Sequence, residues 1–217
     1  MSTPRGHITR VRFAGLRTAA SVELDLGGLT VLIGPNGVGK SSLIEGFELL
    51  RRVMTSDDFV RSLHEDHGGL TSLITHGESE LKLGVDLTTE DGSFSYGMVL
   101  GRVEGGFGIA HESLHGSDMV FVRTGDSVVS ANSPGVTLSL TRPREPFLHL
   151  SSMQAPTGRV GALLEGIEVH GPLATSAAWL SRGPSAERSA RSDNVVQATS
   201  RLARGGRTRE STEPRLQ

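Results

Sequence analysis

Residues 29–46 read LTVLIGPNGVGKSSLIEG, and the parsing of this stretch decides the fold. Gly34-Pro35-Asn36-Gly37-Val38-Gly39-Lys40-Ser41 satisfies G-x-x-x-x-G-K-[ST], the spacing of a loop that cradles the phosphates of a nucleoside triphosphate. Before it, the apolar and partly β-branched run Leu29 to Ile33 predicts a short strand buried on both faces. After it, Leu43, Phe47, Leu50 and Met54 recur at helical spacing, while Glu45, Glu48, Arg51 and Arg52 take the other faces. Strand, glycine loop and helix are the context that the pattern requires.

These residue types suit phosphate chemistry. Gly34, Gly37 and Gly39 permit backbone conformations closed to other residues and let N–H groups approach phosphate oxygens, with a helix N-terminus adding its positive dipole end. Lys40 reaches the β- and γ-phosphates as a point charge, and the Ser41 hydroxyl completes the shell of a Mg2+ ion that keeps most of its waters. Ser42 offers a further contact. The implied ligands are a nucleoside triphosphate and Mg2+, with Gly34, Pro35, Asn36, Gly37, Val38, Gly39, Lys40, Ser41 and Ser42 as nucleotide-binding residues and Ser41 as the metal ligand. The other reading, a glycine-rich turn that merely precedes a helix, does not account for the context on both sides. Lysine is rare, 2 residues against 20 arginines, and one of the two is Lys40.

A chain of 217 residues can form one substantial core, alone or with an appendage. The net charge of −2 gives no overall basic field for nucleic acid, although residues 181–217 carry eight Arg against four acids. No stretch has the eighteen or more apolar residues of a membrane span, and MSTPRGHITR has no apolar signal core. The expectation is a soluble, cytoplasmic protein without membrane partners. The lack of cysteine excludes disulfides, thiolate metal sites and a cysteine nucleophile.

Ahead of the loop, His7 to Phe13 reads as a strand, and Val22, Leu24 and Leu26 alternate with polar residues in a second, giving an antiparallel pair. ITRVRFAGLRTAASVELDL followed by LTVLIGPNGVGKSSLIEGFELL resembles the N-terminus of the ABC, SMC and RecF ATPase heads. It is most similar to bacterial predicted ATPases with an AAA-type, ABC-like core. In that group GPNGxGKS is the usual wording of the loop, and Asn36 is part of what separates it from other P-loop families. The resemblance implies an α/β P-loop NTPase core with N-terminal antiparallel strands, Mg-dependent ATP binding, ATP hydrolysis by the complete head, and two heads sandwiching ATP while moving a partner protein or DNA.

Downstream, Leu81 to Leu87 alternates apolar and polar residues, Glu90-Asp91-Gly92 supplies a turn, and Phe94 to Leu100 alternates again, which predicts a hairpin. Shorter strands follow at 107–110, 119–123, 127–131 and 136–140, so residues 80–140 read as an antiparallel meander, either extending the first sheet or standing as a β lobe on it. The domain reading is a partial ATPase domain over 1–180, with a P-loop core at 7–60 and the β region at 80–140, then a basic, polar and partly disordered segment over 181–217. Short helices are expected near Val160 to Ile167, broken by Gly161 and Gly166, and at 193–203.

Three further signals bear on chemistry. His111-Glu112-Ser113-Leu114-His115 spells H-E-x-x-H, which on a helix would hold zinc and make a hydrolase, but the flanking glycines and strands predict a strand instead. His64 and His67 flank two acids in the polar, irregular stretch 61–79, which reads as a short helix and loops, and a solvated surface describes them better than a metal site. The resemblance implies a glutamine that contacts Mg2+ and the attacking water. Gln154 is the only glutamine before residue 197 and so the candidate, a plain surface glutamine being the other reading.

The resembling heads also need an apolar strand ending in Asp-Glu and a signature loop. Met119 to Val122 lacks the acid, since Asp126 comes too late, and Leu180-Ser181-Arg182-Gly183 is only a faint match to the signature. The expectation is therefore phosphate binding by this chain and hydrolysis only by the complete head, the chain reading as cut short by truncation or a frame change. The alternative is a non-catalytic, nucleotide-dependent interaction module with the meander as its binding surface.

Overall fold

The computed structural model describes residues 6–104, 106–125, 127–130, 137–140, 144–151 and 157–170. Two compact units divide the chain, Met1–Ile167 and Glu168–Gln217, and every element below lies in the first. Gln154, Leu180 to Gly183, the expected helix at 193–203 and the basic segment 181–217 lie outside the described residues.

The period-2 segments form strands β1 (Gly6–Leu16), β2 (Ala19–Asp25), β3 (Leu81–Thr89), β4 (Gly92–Val103), β5 (Gly106–His115), β6 (Val120–Thr124), β7 (Ser127–Ser130) and β8 (Thr137–Ser139). They make one antiparallel sheet in the order β2-β1-β3-β4-β5-β6-β7-β8. The meander is thus joined to the first hairpin rather than set apart as a lobe, because β1 pairs with β3 through Val11↔Val85 and Phe13↔Leu83. One face carries the alternating apolar residues Leu81, Leu83, Val85 and Leu87 of β3 opposite Leu100, Met98, Tyr96 and Phe94 of β4, all buried. The other face near β1 is charged, with Arg10 bonded to Glu23 and Asp25 and Arg12 held in a bidentate pair by Asp86.

Helix α1 (Lys40–Thr55) buries Leu43, Leu49, Leu50 and Val53, while Phe47 and Met54 are only half-buried at the margin of that face. Gly46 lets the helix approach the sheet closely: a Cβ there would lie 2.6 Å from the ring of Phe13. Phe13 also meets Phe47 edge-on, with centroids 5.8 Å apart. Helix α2 (Phe59–His67) starts earlier than its polar character suggests, because Asp58 caps it by accepting from Arg61 N at 2.9 Å, and Phe59, Val60 and Leu63 are buried. Helices α3 (Leu70–Leu73), α4 (Phe147–Ser151) and α5 (Thr157–Glu165) are the other helices among the described residues. Gly161 does not break α5; it is buried within it, and the helix ends at Gly166.

The largest departure concerns residues 29–33. No strand forms there, and Leu29 is 85%, Val31 68%, Leu32 41% and Ile33 92% exposed. A strand needs hydrogen-bonding neighbours. The sheet's pairings are β1 with β2 and β3, then consecutive strands to β8, and among the described residues none of them lies beside this run. No parallel pair occurs among the described strands.

Candidate functional site

The glycine loop enters α1 through two left-handed residues, Gly37 at φ 86° and Gly39 at φ 95°, the latter being the helix N-cap. Side chains rarely adopt such angles, so glycine is required at both positions. Lys40 is consequently the first helical residue. Its Nζ donates to the carbonyls of Gly34 and Pro35 at 2.6 Å each, which uses two of its three N–H groups.

A cavity of about 460 Å³ opens at this corner, lined by Asn36, Gly37, Gly39, Lys40, Ser41 and Ser42 together with Arg17, Thr18 and Glu45. Of the residues expected at the site, Gly34 and Pro35 take part through their carbonyls, and Val38 stands outside the cavity, 56% exposed. Ser41 is exposed at the wall, whereas Ser42 is buried and shares a 3.1 Å hydrogen bond with the Thr18 hydroxyl. Ser42 thereby ties the β1–β2 turn to the loop.

Arg17, Thr18 and Glu45 escaped the sequence reading. Glu45 lies one helical turn beyond Ser41, a position that spacing along α1 predicts to share its face. Arg17 and Thr18 occupy the two-residue turn of the preceding hairpin, and only the packing of that hairpin brings them here. Arg17 Nε and Nη2 donate to the two Glu45 oxygens at 2.8 Å each, and Nη1 donates to Ser72 O at 3.0 Å. The hydrogen bonds to Glu45 raise the Arg17 pKa, partly opposed by burial. His67 Nδ1 approaches Glu45 Oε1 at 3.2 Å, so the carboxylate is shared.

The H-E-x-x-H stretch lies on β5, where a bulge decides its geometry. Val99 pairs with His111 but Leu100 pairs with Ile109, leaving Ala110 as an extra residue. Beyond it the phase of the strand changes, so Glu112 and Leu114 turn into the core while His111 and His115 take the opposite face. The histidines are then roughly 13 Å apart along the strand and the glutamate is behind them. Glu112 is 0% exposed and accepts from Tyr96 Oη at 2.7 Å, Phe147 N at 2.8 Å and Leu148 N at 3.3 Å, with Arg123 Nη1 at 3.5 Å. Burial pushes its pKa up against these contacts. It joins the sheet to α4 as a structural centre. No group of three or more His, Cys, Asp or Glu able to hold a metal occurs among the described residues, and His64 is exposed.

Glycines in left-handed turns that deliver a lysine into the first turn of a helix make an anion cradle of the P-loop kind. Residues 29–117 match the family described as AAA domain, putative AbiEii toxin, Type IV TA system. The match spans the loop, α1 to α3 and β3 to β5, less than half of the chain. It supports a nucleotide-binding protein of the P-loop ATPase type. No curated protein matches the chain. No described helix is long and apolar enough to cross a membrane.

Proposed function

We propose that the chain binds Mg-ATP in the cavity at the start of α1 and acts as an ATPase of the ABC/SMC/RecF-like type. The observation that carries the reading is the loop's geometry: Gly37 and Gly39 in left-handed conformations, with Lys40 and Ser41 of the first helical turn on the wall of one cavity. The loop N–H groups hold phosphate oxygens, and the remaining N–H of Lys40 donates to the β- or γ-phosphate. The exposed Ser41 hydroxyl is the oxygen donor type that a hard cation requires. Mg2+, when bound there, supplies neutralisation of phosphate charge.

Titration calorimetry of the whole chain with ATP, with and without Mg2+, tests this. Lys40→Ala should weaken ATP binding at least about tenfold, the scale of one charge-assisted contact. Equal affinity of the variant and wild type would overturn the reading.

A second reading, binding without turnover, is favoured by the state of Glu45. It is the sole carboxylate lining the cavity among the described residues, and Arg17 and His67 engage both of its oxygens. A carboxylate so engaged is a poor base for an attacking water. Phosphate release from Mg-ATP, measured beside Lys40→Ala, separates an ATPase from a nucleotide-dependent interaction module. ATP-dependent dimerisation belongs to the ATPase proposal and is read from the mass in solution with and without Mg-ATP.

A further inference from the structure

The apolar run ahead of the phosphate loop lacks cover. Seven large apolar residues are exposed among the described residues, and six of them, Leu29, Val31, Leu32, Ile33, Val38 and Ile44, fall within residues 29–44. Concentrated apolar exposure of this kind marks an interaction site. Val38 continues the strip beyond Ile33, since its Cγ2 lies against Gly34, 3.2 Å from where a Cβ would stand. From Gly27 to Gly39 there is no charged residue. The edge of the sheet is built the other way: β2 exposes Glu23 and Asp25, charges of the kind that keep an open strand from pairing with another chain. Residues 29–33 carry no such guard, and Leu29 to Ile33 make no backbone hydrogen bond to another described residue.

From these features we propose that residues 29–33 are a docking strand for a different polypeptide, one that lays uncharged, apolar β-strands along both edges of the run. A polypeptide suits the run because its N–H and C=O groups need partners as much as its side chains do. A lipid surface would cover the side chains and leave the backbone groups unpaired. The residue pattern sets the number of strands. Leu29, Val31 and Ile33 alternate with Thr30 and Leu32, so both faces are largely apolar, the composition of a strand with a neighbour on each edge and a layer over each face. A second copy related by a two-fold axis would supply a neighbour on one edge only. Charge selects the partner's side chains: a charge laid against this uncharged strip would be desolvated without a counter-ion, so the docking strands are uncharged where they meet it. Five residues span roughly 17 Å as a strand, an ordinary length for pairing. Docking here needs no bound nucleotide.

The test is fluorescence anisotropy of a labelled peptide probe, Val-Ile-Val-Ile-Val between lysine pairs, titrated with the full chain in the absence of nucleotide, so that its outcome is separate from that of the Mg-ATP reading. One strand on one edge should bind with a dissociation constant below about 100 μM and slow amide exchange at residues 29–33. The same peptide with glutamate at its centre should bind at least about tenfold more weakly. Val31→Pro, which removes an N–H donor, and Ile33→Asp should each weaken binding at least about tenfold, and both change exposed residues outside the core. Val129→Asp, at an exposed apolar residue outside the run, should bind like wild type. Absence of binding, or equal weakening by Val129→Asp, would overturn the proposal. A doubled mass of the chain without peptide, lost in Ile33→Asp, would give the strip to a second copy, and co-sedimentation with phosphatidylcholine vesicles, lost in the same variant, would give it to a bilayer; either result also overturns it.

Discussion

Leu81 to Leu87 and Leu29 to Ile33 are both strand-like in sequence, yet they end in opposite environments. The first becomes β3, in the interior of the sheet, with Leu81, Val85 and Leu87 at most 1% exposed. The second is the more apolar of the two and lies irregular and open to solvent. Local hydrophobicity therefore specifies a demand for burial, and only a neighbouring strand meets it. β3 has β1 on one side and β4 on the other; residues 29–33 have no strand beside them among the described residues.

Amide hydrogen exchange gives the largest contrast. Amides of β3 should exchange at least about a thousandfold more slowly than those of residues 29–33, because the sheet opens only with a global cost of about 5 kcal/mol or more. Equal protection would show that the second run is paired after all. Charge insertion comes next. Leu83→Asp buries a carboxylate in the core and should cost more than about 4 kcal/mol in urea unfolding, whereas Ile33→Asp, at an exposed site, should stay within about 0.5 kcal/mol.

Glu112 sharpens the comparison, since a buried polar residue is as firmly placed as any leucine of β3. Glu112→Ala removes the acceptor of Tyr96 Oη and Phe147 N, and it should destabilise by about 3 kcal/mol in the same assay. A smaller loss is expected for Gly46→Ala: the new methyl meets Phe13, a strain of about 1–3 kcal/mol partly offset by about 1 kcal/mol of helix propensity.

The smallest effect concerns pH. Asp86 has its pKa lowered, first by its hydrogen bond from Arg12, so the stability it adds is complete above its ordinary value of 3.8 and is lost as pH falls through the lower folded value. Both side chains are partly exposed, so Asp86→Asn should flatten this acid loss by less than about 1 kcal/mol. Glu112 acts with the opposite sign. Its folded pKa is raised, so it favours the folded state most below its ordinary value of 4.5, and that contribution is lost as pH rises to the folded value.

Much of the fold was legible where a signal is local. The alternation in β3 and β4, the pairing of β1 with β2, and the start of α1 at the glycine loop all follow from spacing and turn residues. In the site, Asn36, Gly37 and Gly39 to Ser42 were legible because a loop that approaches phosphate must spell its glycines and its lysine in order. Arg17 and Thr18 were not, since they come from another segment and carry no spacing relation to Lys40. The bulge at Ala110 was equally invisible, although it alone puts Glu112 inside and the two histidines outside.

The sequence by itself determined the glycine loop, the amphipathic helix after it and the strands of the meander, because each depends on the conformational range of single residues or on a period along one chain. Tertiary structure decided which apolar runs found partners, which face of β5 turned inward, and which side chains surround the loop. Those outcomes depend on pairing between distant segments, and a run such as Leu29 to Ile33 reads the same whether or not a neighbour is there to receive it.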